Sequence, residues 1–159
     1  MNVKPMTSLD IRPAGDRSPV HPDIDPQTIA RLVDIFYGRI REHPRLGPIF
    51  ESRLAGRWPE HIATMNRFWN SVLLKTGTYK GRPVPAHLAL KTIKSDDYGQ
   101  WLALFRTVAH EVFREEAAAA VIAVAERIAE SLWLATFGFP GIERPEWLSA
   151  GGRTEARRA

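Results

Sequence analysis

The sequence contains no cysteine. Disulfide bonds, thiolate metal ligands and cysteine nucleophiles are therefore excluded, as is covalent haem attachment through a Cys-x-x-Cys-His motif. No apolar run is long enough to span a bilayer, and the first residues lack the apolar stretch of a signal peptide. These absences predict a cytoplasmic protein without a membrane partner.

Charge of one sign is not concentrated anywhere along the chain. The formal net charge is +4 at pH 7, but acidic and basic residues are interspersed and form no basic block. A surface of this kind is typical of a soluble protein and gives no basis for nucleic-acid binding. We therefore expect no nucleic-acid partner.

The alternation of apolar and polar residues that marks β-strands is absent as well, and the apolar period is helical from about 26 to 140. Four main helices are expected, and Asp25-Pro26 and Ser95 are candidates for helix starts. The segment LGPIFESRLAG is interpreted as a turn-rich link. Residues 1–25 are interpreted as a flexible arm and 141–159 as a flexible tail, on which Trp147 is a candidate for docking. The class is all-α.

Three polar side chains stand out against this apolar pattern. Tyr37 lies on the inward face of the first helix, and His61 lies on the apolar stripe of the second. Taken singly, each is more readily interpreted as a core residue bonded to a backbone group. His87 follows two prolines in GRPVPAH, and a histidine held in this way loses little entropy when it binds a ligand. For His87 alone, a ligand and an ordinary helix start are equally good interpretations.

The inward faces also carry an unusual number of large side chains. They are Phe36, Tyr37, Phe50, Met65, Phe68, Trp69, Trp101 and Phe105. An aromatic core without a cofactor is the simplest interpretation of this set. Together with two histidines and a tyrosine on the same faces, however, the set suits a flat apolar cofactor.

The spacing of the five histidines excludes common non-haem metal sites. No internal histidine has a glutamate three residues before it, as a ferritin-like di-iron bundle requires. His110-Glu111 is followed by Arg114 where a zinc protease has its second histidine. Because a glycine-rich phosphate loop and a G-x-S-x-G motif are absent too, the remaining choices are haem or no cofactor.

Four segments together resemble the group III truncated haemoglobins. They are LVDIFYGRI, LGPIF, WPEHIATMNRFWNSVLLKTGTYKGRPVPAH and WLALF. The likeness covers about 30–137, and its most specific part is the long third segment, which ends in His87. The resemblance implies a truncated globin, a two-over-two helical sandwich around non-covalently bound haem b.

The resemblance also implies roles for the side chains around this haem. His87 corresponds to the proximal iron ligand, while Tyr37, His61 and Trp101 correspond to residues that stabilise a ligand on the distal side. The other expected cofactor contacts are Phe36, Phe50, Met65, Phe68, Tyr79, Arg82 and Phe105. Phe50 among them corresponds to a phenylalanine that packs on the haem face.

The haem propionates need cations or hydroxyl groups at the mouth of the pocket. Tyr79, Lys80 and Arg82 are candidates through their position in the loop alone. A solvated turn explains the same residues at least as well.

Several hydrogen-bond donors around a bound gas should slow its release. A globin that holds O2 tightly suits reactions of O2 with nitric oxide, or reactions with peroxide, better than transport. The expected ligands are O2, NO and CO, and turnover would need a separate reductase because no flavin or nicotinamide motif is present. Enzymatic activity stays open, as do two alternatives, a haem-based gas sensor and a cofactor-free helical interaction module. The expected assembly is a monomer or weak dimer.

Overall fold

The computed structural model describes residues 18–77, 79, 81, 87 and 92–150. Within these ranges the chain forms helices and no strand, which confirms the predicted all-α class. The helices are α1 (Pro26–Glu42), α2 (Leu46–Leu54), α3 (Trp58–Leu73), α4 (Ser95–Val112), α5 (Glu115–Phe137) and α6 (Glu146–Ala150). A helix long and apolar enough to cross a membrane is not found in the described ranges.

Helix α1 begins where the sequence predicts it. Asp25 accepts a hydrogen bond from the backbone N–H of Thr28 at 2.8 Å, and the Thr28 hydroxyl accepts one from the N–H of Asp25 at 3.0 Å. This reciprocal capping satisfies two amides that the helix itself leaves without partners. Pro26 takes the first helical position, where a missing N–H costs nothing. The buried face that follows directs Tyr37 inward.

The segment predicted to be a turn-rich link is helix α2, so that prediction was wrong. Pro48 lies in the first turn of α2, where proline is tolerated because the first amides have no acceptor within the helix. The Nδ1 atom of His43 accepts the backbone N–H groups of Arg45 at 3.1 Å and Leu46 at 3.0 Å. A side chain that precedes the helix therefore caps it.

Two helix pairs build the core. Helix α1 packs on α3, α4 packs on α5, and contacts between α1 and α4 join the two pairs. Aromatic rings fill the junction: the centroid of Phe36 lies 5.4 Å from that of Trp101, and Trp69 stacks on Phe105 at 5.0 Å. This arrangement is the predicted two-over-two sandwich.

Residues before α1 also pack against the core. Ile24 is buried, and the backbone N–H of Val20 donates to the carbonyl oxygen of Leu73 at 2.9 Å. Packing therefore begins before residue 26, inside the segment interpreted as an arm. Residues 1–17 of that segment lie outside the described residues.

Trp147 of α6 docks on α4 at the other end of the chain. A Cβ atom added to Gly99 would lie 2.7 Å from the Trp147 indole, so α4 needs a glycine at this contact. The packed region thus extends beyond residue 140, and the part of the predicted tail from 151 to 159 lies outside the described residues.

Asp97 is the buried charged residue of the described ranges, and it ties α4 to the start of α2. Arg45 donates from Nε to Oδ1 at 2.9 Å and from Nη2 to Oδ2 at 2.8 Å, and the backbone N–H of Lys94 donates to Oδ2 at 2.7 Å. Burial alone would raise the pKa of Asp97, but the hydrogen bonds and charges of Arg45 and Lys94 lower it overall. The carboxylate therefore stays ionised inside the fold.

We expect Asp97→Asn to lower the free energy of unfolding by about 1–3 kcal/mol at pH 7, because it removes charged hydrogen bonds in a buried site. The pKa of Asp97 is lower in the folded state than in the unfolded state. Its contribution is therefore complete above the unfolded pKa of about 3.9 and is lost as the pH falls through the folded pKa. Urea unfolding should show the difference between wild type and variant shrinking below that pH.

Glu111→Gln is the matched control for this prediction. Arg39 also binds Glu111 with two hydrogen bonds, but these side chains are 40% and 46% exposed. Solvent screens an exposed pair of this kind, so Glu111→Gln should lower the free energy of unfolding less than Asp97→Asn does. Equal losses in the two variants would contradict the argument that burial makes the Asp97 pair important.

Candidate functional site

A cavity of about 610 Å³ opens inside the helical sandwich. Every helix from α1 to α5 contributes side chains to its lining, and most of these are aromatic or aliphatic. Its volume is in the range of cofactor and small-molecule sites. The few polar groups that reach it therefore decide what it can bind.

Most of the predicted site residues meet in this cavity. Those that line it are Tyr37, Phe50, His61, Met65, Phe68, Tyr79, His87 and Trp101. Phe36 and Phe105 do not line it: they pack behind Trp101, each with its ring centroid 5.4 Å from that of the tryptophan. These two rings support Trp101 from behind, and their predicted contact with the cofactor stays a prediction. Lys80 and Arg82 lie outside the described residues.

Tyr37 and His61 meet on one side of the cavity. Their ring centroids are 5.0 Å apart with the planes at 85°, and Phe50 and Trp58 enclose the imidazole at 6.3 Å and 5.9 Å. The Nε2 atom of His61 is buried without a hydrogen-bond partner in the described structure. The hydroxyl group of Tyr37, a residue only 4% exposed, likewise has no partner among the described residues.

Burial sets the protonation of both groups. Burial, with a smaller contribution from Tyr79, raises the pKa of Tyr37 well above its ordinary value. Burial, with a smaller contribution from His87, lowers the pKa of His61 to about 4. At neutral pH, Tyr37 is therefore a hydroxyl donor, and His61 is a neutral imidazole with one donor and one acceptor nitrogen.

Trp101 lines the same cavity, and its indole carries an N–H group. Phe105 stacks on its ring at 17° and Phe36 meets it edge-on at 88°, so the indole is held on both sides. Its N–H group has no hydrogen-bond partner among the described residues. A buried polar group without a partner costs about 1–3 kcal/mol. Of the three groups, the His61 Nε2 atom is the one that is fully buried without a partner; with the unpartnered Tyr37 hydroxyl and Trp101 N–H on residues of the same lining, it indicates a bound molecule that pairs with them.

His87 reaches the cavity from another side, next to α4. Its ring centroid lies 6.3 Å from that of Tyr98 of α4. None of the rings around His61 is a ring neighbour of His87 in the described structure. The two histidines therefore lie against different parts of the lining, close enough for His87 to lower the pKa of His61.

Several residues of the lining were not predicted from the sequence. Leu46 and Ile49 were missed because α2 was interpreted as a link, and assigning that helix would have identified them. Arg53 and Arg57 also line the cavity. No signal in the sequence separates these two from other exposed arginines.

Known proteins with a similar sequence and fold identify the family. The group 3 truncated haemoglobin ctb of Campylobacter jejuni is 35% identical over 109 residues, which are 67% of this chain and 86% of that protein. The chain belongs to the group III truncated haemoglobins. The crystal structure of a group III truncated haemoglobin from Campylobacter jejuni superposes on this truncated haemoglobin with a TM-score of 0.71. It is 31% identical, with 76% of this chain and 98% of that chain covered.

No protein-family model matches this truncated haemoglobin. Its relatives nevertheless confirm the resemblance predicted from the sequence. Membership of this globin family implies that the chain binds haem and, through haem, small gas molecules.

The cavity of this truncated haemoglobin fits a haem group. Haem is flat and largely apolar, and a proximal histidine holds its iron in globins. The cavity combines an aromatic lining and a volume of about 610 Å³ with His87 on one side. On another side lie the unpartnered Nε2 atom of His61 and the hydroxyl group of Tyr37.

Proposed function

We propose that this truncated haemoglobin binds haem b non-covalently, with His87 as the proximal iron ligand. We further propose that it holds O2 for reaction with nitric oxide rather than for transport. One observation carries the proposal: Tyr37, His61 and Trp101, each with an unpartnered polar group, line the cavity that His87 also lines. When bound, haem iron supplies reversible gas binding and the electron that converts O2 and nitric oxide to nitrate.

His87 suits the proximal role through its chemistry and its place in the chain. Neutral imidazole is a common iron ligand. Pro83 and Pro85 stand shortly before His87 in the sequence, and proline restricts the unfolded chain, so less entropy is lost when the histidine is fixed. Tyr98 lies beside the ring, with the two centroids 6.3 Å apart, and both residues line the cavity.

The polar groups on the distal side suit a ligand on which negative charge develops. The indole N–H of Trp101 can only donate a hydrogen bond, and the hydroxyl group of Tyr37 can donate one because it has no partner among the described residues. Fixed donors in an apolar cavity stabilise such charge more strongly than donors in solvent. They therefore favour O2 over a less polar gas such as CO.

These donors also argue against oxygen transport. One net hydrogen bond contributes roughly 0.5–1.5 kcal/mol, which slows release about two- to thirteenfold. Two donors acting together would retain the gas long enough for a second molecule to enter. Nitric oxide is the second molecule that we propose, and a separate reductase would return the electron used in each turnover. Peroxide is the alternative substrate.

Absorption spectra and two rates test the proposal. We expect a strong Soret band that shifts when the reduced protein meets CO, which would establish haem with accessible iron. We also expect the oxygenated protein to form one nitrate for each nitric oxide, faster than it releases O2. A colourless protein that does not take up added haemin would refute haem binding. A haem protein that releases O2 rapidly and forms no nitrate would refute the proposed reaction.

A further inference from the structure

We infer that Arg53 and Arg57 form a carboxylate-binding mouth on the cavity and hold the propionate groups of haem. This inference rests on the proposed function. It assigns the propionates to the corner between α2 and α3, whereas the sequence suggested the loop residues Tyr79, Lys80 and Arg82.

The two arginines lie together at that corner. Arg53 is in the last turn of α2, and Arg57 directly precedes α3. The Arg57 Nη2 atom donates to the carbonyl oxygen of Arg53 at 2.5 Å, which holds one guanidinium group beside the other residue. Both residues are exposed and yet line the cavity, so they lie at its opening.

Neither guanidinium group is neutralised by an acidic side chain in the described part of the chain. Other arginines in the described ranges are neutralised in this way: Arg39 pairs with Glu111, and Arg106 pairs with Glu126. Ion pairs that involve Arg53 or Arg57 are not found among the described residues. Two positive charges therefore remain available at the mouth.

The lining offers these cations no carboxylate either. Asp97 is the acidic residue among the described lining residues, and Arg45 and the backbone of Lys94 already occupy both of its oxygens. An apolar interior with free cations at one opening suits a flat apolar ligand that carries carboxylates on one edge. Guanidinium groups bind carboxylates with two parallel hydrogen bonds, which fixes the orientation of such a ligand.

The test compares haemin with its dimethyl ester, in which both carboxylates are blocked. Wild type, Arg53→Gln, Arg57→Gln and the double variant are loaded with each, and transfer to excess apomyoglobin is timed. We expect each single variant to lose haemin roughly two- to fivefold faster than wild type, and the double variant about tenfold faster. The dimethyl ester should leave all four proteins at one rate. Arg31→Gln, an exposed change of equal charge on α1, should match wild type with both ligands.

Three results would overturn the inference while leaving haem binding intact. One is an unchanged rate of haemin loss in the double variant. Another is equal acceleration for haemin and its ester, which would indicate a structural role for the arginines. The third is an ester-sensitive effect in Arg82→Gln and none in the corner variants, which would return the propionates to the loop. Failure of wild type to take up either ligand would instead refute the proposed function.

Discussion

His87→Ala should lose haem more than about a hundredfold faster than wild type, or fail to retain it through purification. Changes to residues that only support a metal ligand already cost 10–100-fold in affinity, so removal of the ligand itself is expected to exceed that range. The apolar contacts of the cavity would remain, but they do not fix the iron. The measurements are the Soret absorbance per protein chain and the rate of transfer to apomyoglobin.

Two controls separate loss of the ligand from loss of the fold. Added imidazole should restore a Soret band in His87→Ala, because the free ring can occupy the space that the side chain leaves. His61→Ala should keep its haem, since His61 lies on another side of the cavity and its Nε2 atom has no partner in the described structure. A His87→Ala protein with wild-type haem retention and an unchanged spectrum would assign the proximal role to another residue.

Local signals were enough to predict α1, but not α2. The start of α1 is determined by Asp25 and Pro26, which act within one turn of chain. The start of α2 depends on His43, which lies outside the helix, and on a close approach to the end of α1. A Cβ atom added to Gly47 would lie 2.7 Å from the carbonyl oxygen of Arg41, so this glycine reflects a contact and not a turn. The sequence carries no local pattern that indicates this close approach of α2 to the end of α1.

Ser95 shows the same effect at α4. Its residue type and position suggest a helix cap, but α4 begins with Ser95 and its hydroxyl group accepts a hydrogen bond from the Trp133 Nε1 atom at 2.6 Å. The carboxylate of Asp97 instead reaches back to the N–H of Lys94 at 2.7 Å. The Ser95 hydroxyl group, which the local sequence suggested as the cap of α4, is therefore bonded to Trp133, a residue distant in sequence.

For the candidate site, the sequence predicted which side chains point into the core, but not which of them reach the cavity. Helical spacing turned Tyr37, His61 and Trp101 towards the interior, and all three line one cavity in the structure. Phe36 and Phe105 have the same spacing and lie one layer further from the cavity. The depth of a side chain depends on how the helices cross, and a single helix period does not contain that information.

Tyr37→Phe should keep the haem and speed the release of O2 by about two- to thirteenfold, the effect of one net hydrogen bond. The substitution leaves the ring and its packing in place and removes only the hydroxyl group, which has no protein partner among the described residues. Trp101→Phe removes the second donor. If both act on the same ligand, the double variant should release O2 about five- to 160-fold faster than wild type. Stopped-flow displacement of O2 by CO measures all of these rates.

Tyr98→Phe is the matched control, because it makes the same chemical change in the same cavity. Tyr98 lies beside His87, and its hydroxyl group accepts a hydrogen bond from Thr136 at 3.1 Å. This variant should release O2 within about twofold of the wild-type rate while losing about 1 kcal/mol of stability. Equal acceleration in Tyr98→Phe and Tyr37→Phe would trace the effect to a loosened cavity. An unchanged rate in Tyr37→Phe would remove the hydrogen-bond argument on which slow release, and with it the proposed nitric oxide chemistry, depends.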